Sequence, residues 1–404
     1  MSTSLLYHAF SLKGYRHWKT DYVEGSVVFS IRQDRKSYRC SNCGSKDVES
    51  RGQRMRVFQS LPIGGKKTFV HFAVPKVRCR SCGAWRQVCI GFAEPGVGHT
   101  KAFERYVLEL SQLTTIADAA DHLGVGWDRV KAIQKRHLQK RYAKPKLKDV
   151  RQIAIDEISV GKGNRFLTLV LDLESGAVVF VGEGKDAKAL EPFWRRLKAS
   201  RAKIRAVATD MSRAYIAAVR KALPNAVHVF DRFHVQRLYN EMLTNLRRDL
   251  HRELTDKLEK DVLKGIRWLL LKNPENLDST RNERQRLQEA LRINQPLATA
   301  YYLKEDLRQF WEQPNKRAAK VYLNAWIARA DASGIAHLKR FATTLAMHRT
   351  GLLAYYDCPI TTGPLEGINN KIKTMKRQAY GYRDQEFFKL KIMAAHNLKY
   401  KLVG

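Results

Sequence analysis

The sequence predicts a multidomain α/β protein, with a cysteine-bearing β-rich region, a small helical unit and a mixed sheet interrupted by an all-helical insertion. Three observations lead to this prediction. Two CxxCG motifs fall within the first 83 residues, short alternating apolar runs follow from residue 150, and apolar residues recur at helical spacing between residues 233 and 356. With 404 residues, of which 44% are hydrophobic, the chain can divide into about two to four folded units.

The charge of the chain is strongly basic. Its 74 Lys and Arg residues against 39 Asp and Glu residues give a formal net charge of +35. The excess is spread over both halves, which fits a polyanionic partner better than a membrane surface, because membrane surfaces usually select one amphipathic segment. No window approaches the roughly 18 apolar residues that span a bilayer, and the N-terminus lacks the features of a signal peptide. We therefore expect a cytoplasmic protein with no membrane partner.

The two CxxCG motifs place four cysteines in matched pairs, Cys40 with Cys43 and Cys79 with Cys82. Each pair can hold one side of a tetrahedral ion, and the glycine that follows can adopt the positive φ of a tight turn. Two disulfides or four free thiols are the alternatives, but matched pairs in a cytosolic chain favour structural Zn²⁺. Four protein ligands leave no open position on such an ion.

The 35 residues between the motifs are expected to form a β-hairpin. Residues 57–77 alternate between apolar and polar, and the turn falls at Pro62-Ile-Gly-Gly65. Cys89 and Cys358 match no motif and are expected to be ordinary buried thiols.

Residues 100–140 change to helical spacing and predict a helix-turn-helix unit. A first helix is followed by a short second helix that ends at Gly124, and a third runs from Trp127 to Gln139. Any small helical bundle could show this pattern, but the basic third helix favours DNA binding. Its candidate DNA-binding residues are Arg129, Lys131, Lys135 and Arg136. A basic, proline-interrupted stretch over residues 141–148 follows, either as a solvated connector or as a segment along DNA phosphates.

From residue 150 the order of predicted elements is three short strands, a helix, a strand, a helix and a strand. This is the order of the ribonuclease-H-like fold, in which the first and fourth strands are neighbours. Asp156 ends the first run and Asp210 closes the fourth, so the two carboxylates are expected to be adjacent. A lone Asp at a strand end is more often a turn or cap residue, but two at these positions favour a site.

Residues 233–356 are almost wholly helical, and about 120 residues are too many for a loop within a compact domain. We predict an inserted helical domain here. Trp268, Trp311 and Trp326 fall at helical spacing and are expected to be core residues, with base stacking as the less favoured alternative.

A third acidic residue, Glu366, opens a helix-like run after the insertion. Together with Asp156 and Asp210 it completes the three oxygen ligands that a two-metal phosphoryl-transfer site requires. Asp231 and His234 follow the fifth strand at the same end of the sheet. Asp231 is either the N-cap of the next helix or, with His234, a catalytic residue, His234 donating a hydrogen bond to the scissile strand.

The helix that carries Glu366 has two distinct faces. At 100° per residue Asn370, Lys373 and Arg377 share the side of Glu366, and apolar residues cluster on the opposite side. We expect this polar face to grip DNA next to the reacting phosphate. The alternative is an amphipathic helix whose polar face meets only water.

The chain resembles, nearly end to end, the ISL3 family of bacterial insertion-sequence transposases. The residues that carry the resemblance are the two CxxCG motifs, Ala154-Ile-Asp-Glu157, Ala208-Thr-Asp-Met-Ser-Arg-Ala-Tyr215, Phe230-Asp-Arg-Phe-His234, Gly363-Pro-Leu-Glu-Gly-Ile-Asn-Asn-Lys371 and Gly381-Tyr-Arg383.

The resemblance implies a zinc-binding and helix-turn-helix region that recognises terminal inverted repeats, and a DDE catalytic core. The triad maps to Asp156, Asp210 and Glu366, with Mg²⁺ as the cofactor and Mn²⁺ as a substitute. Water would nick the element's end, and the freed 3′-hydroxyl would attack target DNA. The expected DNA partners are the double-stranded terminal inverted repeats and the double-stranded target DNA. The chain is also expected to bind further copies of itself, as a dimer or higher oligomer on DNA, at the bacterial nucleoid. The alternatives are a ribonuclease-H-like nuclease that does not join DNA, and a zinc-ribbon and helix-turn-helix regulator.

The sequence divides into five segments at the positions where these patterns change. We predict a zinc-ribbon domain over residues 1–98, a helix-turn-helix and linker over 99–149, the first part of the catalytic core over 150–235, the helical insertion over 236–355, and the C-terminal part of the core over 356–404.

Overall fold

The computed structural model describes residues 4–161, 163 and 165–397. Two compact units divide the chain: residues up to 143 with residues 378–381 form the first, and residues 144–377 with residues 382–396 form the second. The ribbon and helix-turn-helix regions therefore share one unit, and the core and insertion share the other. The finer division into five segments stays a prediction. No helix in the described part of the chain is long and apolar enough to cross a membrane.

The first unit is built on a five-stranded sheet in the order β1-β2-β4-β3, with β5 paired to β4. A short helix precedes it, and its apolar residues pack with the inner face of the sheet. The elements are α1 (Leu5–Phe10), β1 (Tyr15–Val23), β2 (Ser26–Gln33), β3 (Val48–Ile63), β4 (Lys66–Cys79) and β5 (Trp85–Gln87).

The predicted hairpin between the cysteine motifs is confirmed and is longer than the alternation suggested. β3 and β4 are antiparallel from Val48↔Cys79 to Ile63↔Lys66, so the turn falls at Gly64 and Gly65. A φ of 56° at Gly64 explains why glycine stands there. Because this pairing joins the two ends of the 35-residue segment, the hairpin brings the second CxxCG motif back to the first.

The helix-turn-helix order is confirmed as α2 (Lys101–Leu110), α3 (Ile116–Leu123) and α4 (Trp127–Tyr142). Thr115 caps α3 in a reciprocal capping box with Asp118, and Gly124 ends it with a φ of 58°. The three helices enclose their own apolar core, which includes Phe103 and Val130.

The second unit contains a five-stranded sheet in the order β10-β9-β6-β7-β8. β6, β9 and β10 are mutually parallel, and β7 and β8 continue from β6 as an antiparallel meander. This confirms the ribonuclease-H-like order, with the first and fourth strands of the core as neighbours. The elements are β6 (Gln152–Ser159), β7 (Phe166–Asp172), β8 (Val178–Glu183), α5 (Glu191–Ser200), β9 (Ala206–Thr209), α6 (Arg213–Ala222) and β10 (Val227–Phe230).

The insertion is helical, as predicted, and its core also holds Phe230 from β10 and Val235 from the start of α7. The apolar period of four that runs from residue 246 to residue 266 predicts one helix, but the structure breaks it at Leu254, where ψ is 145°. Its elements are α7 (Arg232–Glu253), α8 (Lys257–Gly265), α9 (Arg267–Leu271), α10 (Glu283–Ile293), α11 (Gln295–Arg308), α12 (Lys316–Ala332), α13 (Ala336–Met347) and α14 (Arg349–Leu353). Two helices then complete the unit, α15 (Gly363–Gln378) and α16 (Gln385–Met393).

The three tryptophans of the insertion divide into two groups. Trp326 is fully buried and donates its indole N–H to the Leu303 carbonyl at 2.9 Å, and Trp311 is buried as well. The prediction that Trp268 belongs to the core is wrong, because 65% of its surface is exposed. Local spacing could not separate it from the others, since the short α9 turns this one ring outward.

Candidate functional site

The two aspartates of the predicted triad occupy equivalent positions on neighbouring parallel strands. Ala154 of β6 is paired with Ala208 of β9, and Asp156 and Asp210 each lie two residues further on. Parallel neighbours are about 4.8 Å apart, and residues two positions apart on a strand point to the same face. The parallel pairing therefore places both carboxylates at the same end of the sheet and on the same face.

Asp156 is held by its own strand and by helix α15. One carboxylate oxygen accepts from the Glu157 backbone N–H at 2.8 Å, and the other accepts from Asn369 Nδ2 at 3.0 Å. Burial raises the pKa of Asp156, and the charge of Asp210 adds to that rise, while nearby His234 opposes it. The raised pKa marks a carboxylate whose negative charge lacks full compensation from the protein.

Asn369 is a site residue that the sequence analysis missed in favour of its neighbour Asn370. It is buried, and its Oδ1 atom has no hydrogen-bond partner within the described residues. The signal was present in the spacing, because residues three apart on a helix share a face and Asn369 follows Glu366 by three.

Glu366 lies in the first turn of α15 with an exposed side chain. In a chain with a net charge of +35, no Lys or Arg of the described residues forms an ion pair with Asp156, Asp210 or Glu366. The three carboxylates do not all approach within 4.8 Å of one another, since only the cysteine cluster meets that limit in the described part of the chain. Helix α15 places Glu366 one turn before Asn369, the residue that contacts Asp156, but within the described residues Glu366 itself makes no hydrogen bond or ion pair with either aspartate.

The oxygen atoms at this end of the sheet fit a divalent cation. Carboxylate and carboxamide oxygens are the ligands that Mg²⁺ and Mn²⁺ prefer. The unpartnered Oδ1 of Asn369 lies in the side chain that contacts Asp156, so an oxygen ligand is available there in addition to the acidic residues.

Asp231 follows β10 and occupies the N-cap position of α7, but its side chain makes no capping hydrogen bond. Its buried carboxylate instead accepts from His234 Nδ1 at 3.2 Å and from the Thr362 backbone N–H at 3.3 Å. Burial alone would raise the pKa of Asp231, but these hydrogen bonds outweigh it and hold the pKa below its usual value. Asp231 therefore ties the residue before α15 to the end of the sheet.

His234 contacts Asp231 and is close enough to Asp156 and Asp210 for their charges to act on it. Burial lowers its pKa, but the hydrogen bond to Asp231 and the charges of Asp156 and Asp210 raise it more, so the net pKa is above the usual value. Since Nδ1 contacts Asp231, Nε2 is the ring atom left to face a substrate.

Glu157 was quoted in the sequence motif but not assigned a role. Burial and the charge of Asp210 raise its pKa, and Tyr215 donates a hydrogen bond to it. Tyr215 is fully buried and also contacts Thr168 Oγ1 at 3.2 Å. Because adjacent strand residues point to opposite faces, Glu157 is held on the α6 side of the sheet, away from Asn369.

Helix α15 is amphipathic, as predicted. Ile368, Ile372 and Met375 are buried, and the other face of the helix is exposed. The exposed residues that follow Glu366 on that face are Asn370, Lys373 and Arg377.

The four cysteines of the N-terminal unit form one cluster, with all sulfur atoms within 4.8 Å of one another. The Cys40 and Cys82 sulfurs are 3.7 Å apart, and the Cys43 and Cys79 sulfurs are 3.6 Å apart. Sulfur ligands at about 2.3 Å from a tetrahedral zinc ion would be separated by about 3.8 Å, so the cluster fits structural Zn²⁺. Hydrogen bonds, the largest from the Ala84 backbone N–H, lower the pKa of Cys82 to about 6, whereas the neighbouring Cys82 and Cys79 raise the pKa of Cys43. The fit to zinc therefore rests on the spacing of the four sulfurs.

The two remaining cysteines do not behave as expected. Cys89 is exposed and Cys358 is half-buried, so the prediction that both are buried thiols is wrong. Cys89 lies just beyond β5, where its backbone N–H contacts the Arg39 carbonyl in a loop rather than in the core.

The basic residues predicted on the third helix, α4, contact the rest of the N-terminal unit. Arg129 Nη1 donates to the buried Gln59 Oε1 at 2.9 Å, and Arg136 forms an ion pair with Glu104. Both arginines keep exposed surface, whereas Lys131 and Lys135 are half-buried. Gln59 and Glu104, which no sequence pattern indicated, fix the directions of the two guanidinium groups.

Comparison with known families gives three matches. A transposase model of the DDE type in family ISL3 covers residues 153–392. The helix-turn-helix domain of transposase family ISL3 matches residues 88–138, and the zinc-finger of transposase IS204/IS1001/IS1096/IS1165 matches residues 36–82.

Individual relatives extend over most of the chain. The transposase for insertion sequence element IS1001 of Bordetella parapertussis is 33% identical over 394 residues, which is 95% of this chain and 97% of the relative. The transposase for insertion sequence element IS1557 of Mycobacterium tuberculosis is 29% identical over 375 residues, 86% of this chain and 83% of the relative. Among solved structures, a Drosophila P element transposase strand transfer complex aligns with 73% of this chain and 92% of its own, at 11% identity and a TM-score of 0.41.

Proposed function

Because this chain belongs to the ISL3 family of transposases, we propose that it binds the terminal inverted repeats of an insertion sequence, cuts the DNA at the element's ends and joins the 3′-hydroxyl ends to target DNA. The observation that carries the proposal is the placement of Asp156 and Asp210 at equivalent positions of adjacent parallel strands. A DNA-binding regulator has no use for two such carboxylates beside an unpartnered carboxamide oxygen.

We assign the metal ligands to Asp156, Asp210 and Glu366. Two divalent cations, Mg²⁺ or Mn²⁺, would supply activation of the attacking oxygen and stabilisation of the leaving oxygen. Asn369 orients the Asp156 carboxylate through its Nδ2 hydrogen bond. The absence of ion-paired Lys and Arg among the described residues around the triad leaves its charge available to cations, which supports this assignment.

Asp231 and His234 act beside the triad in this proposal. Asp231 accepts a hydrogen bond from His234 Nδ1–H. This hydrogen bond fixes the tautomer of the ring and directs Nε2 toward the scissile strand. The same carboxylate accepts from Thr362 and so positions the start of α15. The exposed face of α15, with Asn370, Lys373 and Arg377, would then contact the DNA strand next to the reacting phosphate.

The N-terminal unit supplies recognition. Structural Zn²⁺ held by the four cysteines would fix the base of the long hairpin, and α4 would enter the major groove with Arg129, Lys131, Lys135 and Arg136 facing DNA. Since both ends of an element must be handled together, we further propose that the protein acts as a dimer or higher oligomer on DNA.

The test separates cutting from joining. Purified protein is given Mg²⁺ and two substrates: an intact duplex that spans an element end, and a pre-cleaved end with a free 3′-hydroxyl together with a supercoiled plasmid. A transposase cuts the first and joins the second to the plasmid, and chelation of Mg²⁺ stops both. Cutting without joining would identify a ribonuclease-H-like nuclease, and binding that is indifferent to Mg²⁺ without any cutting would identify a regulator.

A further inference from the structure

A group of arginines in the helical insertion has no acidic partner in the part of the chain that the structure describes. Arg247 and Arg248 come from α7, Arg267 from α9 and Arg286 from α10, and Trp268 lies beside Arg267. We call these five residues the arginine corner. None of the four guanidinium groups forms an ion pair with a carboxylate of the described residues, whereas Arg252, Arg281, Arg308 and Arg329 of the same insertion all do.

The arginine corner concentrates like charge in a partly dry environment. Arg247 is buried, with 9% of its surface exposed, and donates from Nη1 to the Leu263 carbonyl at 3.0 Å. Its Nε and the Nε of Arg267 are buried without a hydrogen-bond partner in the described part of the chain. Burial, and then the charges of Arg267 and Arg248, lower the pKa of Arg247. A bound anion would relieve this repulsion and supply the missing acceptors.

Capping of helix α8 explains only part of this arrangement. Arg247 and Arg286 donate to the carbonyls of Leu263 and Gly265 at the C-terminal end of α8, where cations are favoured. That role accounts for two guanidinium groups. It gives no reason for Arg267, whose Cζ lies 4.6 Å from the centre of the Trp268 ring, or for an indole that is 65% exposed.

We propose that the arginine corner is a second DNA-binding site, in which Arg267 and Arg286 bind backbone phosphate and Trp268 stacks on an unpaired base. Exposed aromatic rings beside unpaired cations are the usual means of holding single-stranded or distorted DNA. The net charge of +35 favours DNA over an acidic protein surface as the occupant. The inference rests on the proposed function, because it assumes that DNA reaches the second unit.

Helix α7 connects this site to the triad. It carries His234 in its first turn and Arg247 thirteen residues later, a distance of about 20 Å along the helix. Duplex DNA rises about 3.4 Å per base pair, so a strand cut at the triad could be held about six base pairs away. The site would then hold DNA that has been opened near the cut.

The test uses two probes of mixed sequence, a blunt duplex and the same duplex with a single-stranded 3′ extension, and measures affinity across a salt titration. Arg267→Gln with Arg286→Gln should reduce the salt slope by about 2, since each lost phosphate contact removes about 0.9. Trp268→Ala should weaken binding of the extended probe about tenfold and change binding of the blunt duplex much less. Arg252→Gln with Arg281→Gln and, separately, Tyr302→Ala are matched exposed controls that should bind as the wild type does.

Thermal melting checks that each variant folds, and Arg286→Gln alone, at an exposed position, gives a loss of about 0.9 in the slope if the double variant does not fold. A wild-type salt slope in the arginine variants overturns the proposal. Wild-type affinity of Trp268→Ala for the extended probe overturns the stacking role. If the variants show these shifts but the wild-type protein makes no metal-dependent cut at any element end, the proposed function fails and the DNA-binding role of the arginine corner is kept.

Discussion

At the scale of single residues, the most informative contact is the hydrogen bond from Asn369 to Asp156. It joins a helix to a strand that lies more than 200 positions earlier in the chain. The same Asn presents an unpartnered Oδ1. The metal site that we propose would give both atoms of this carboxamide a role, Nδ2 as a donor that orients Asp156 and Oδ1 as a further oxygen ligand.

This contact gives the first prediction. Asn369→Leu removes both roles, and the loss of a residue that orients a metal ligand typically costs about 10- to 100-fold in metal affinity or activity. We expect end cleavage to fall by that factor while binding to the element's end is unchanged. The measurement is cleavage against Mg²⁺ concentration, with Gln378→Ala, at an exposed position of the same helix, as the control. Cleavage in Asn369→Leu at the wild-type rate and Mg²⁺ dependence would remove Asn369 from the site.

His228 is a second residue whose surroundings can be tested, because they change its pKa and so the stability of the protein at acidic pH. Burial lowers its pKa to about 4, and its Nε2 lies 2.8 Å from Thr209 Oγ1. The unfolded chain, with a histidine pKa of about 6.5, binds more protons than the folded chain between pH 6.5 and 4. The protein should therefore lose stability as the pH falls through 6.5, by about 2 kcal/mol at pH 5.

The measurement is the change in Tm between pH 7 and pH 5. The decrease should be smaller in His228→Gln than in the wild type, because glutamine has no proton to gain. His122→Gln, at an exposed position of α3, should keep the wild-type decrease. Equal decreases in all three proteins would show that His228 is not held in its neutral form by the fold.

At the scale of elements, the proposed DNA-reading helix α4 contacts the sheet of the ribbon and helix α2. Arg129 and Arg136 each have an acceptor from another element, Gln59 from β3 and Glu104 from α2. Arginines held in this way lose less freedom when they bind DNA, because their direction is already set. The ribbon thus serves the third helix as a support, which the matched cysteines alone did not indicate.

Neutralising Lys131 and Arg136 together tests α4 as the DNA-reading helix. We expect Lys131→Gln with Arg136→Gln to weaken binding to the element's ends and to lower the salt slope by about 2. Because Arg136 also pairs with Glu104, the charge-preserving Arg136→Lys separates lost packing from lost charge. Unchanged affinity of the double variant across the salt titration would show that both residues belong to an ordinary solvated surface and do not contact DNA.

The elements differ in how well the sequence predicts them. The core sheet was predicted because its strands are buried and alternate with turn residues, as in β7, where six of seven residues are buried. The hairpin of β1 and β2 was not predicted. β1 has no fully buried residue, so its alternation carries no apolar signal.

The residues of the candidate functional site also differ in how well the sequence predicts them. Asp156 and Asp210 could be found because each follows an apolar run of a predicted strand, and Glu366 because it opens a predicted helix, although β6 continues three residues beyond Asp156. Asn369, Gln59 and the arginine corner could not, because their roles depend on contacts between elements that are far apart in sequence. Trp268 was placed in the core for the same reason, since spacing describes a helix and not what packs against it.

At the scale of the whole molecule, recognition and chemistry are assigned to different compact units. The cysteine cluster and α4 belong to the first unit, and the two aspartates, α15 and the arginine corner belong to the second. Binding to the element's ends and cutting should therefore be separable by mutation. A change confined to the triad should leave the first unit's grip on DNA intact.

The most direct test of the proposed function uses Asp210→Ala in the full-length protein. Asp210 follows β9, beside the position of Asp156, and belongs to the triad in our assignment. Cleavage of an intact element end and joining of a pre-cleaved end are measured with Mg²⁺ alongside binding to the same end. We predict that both reactions are lost while binding stays at the wild-type affinity. Cleavage retained by Asp210→Ala would contradict the two-metal site and the function built on it.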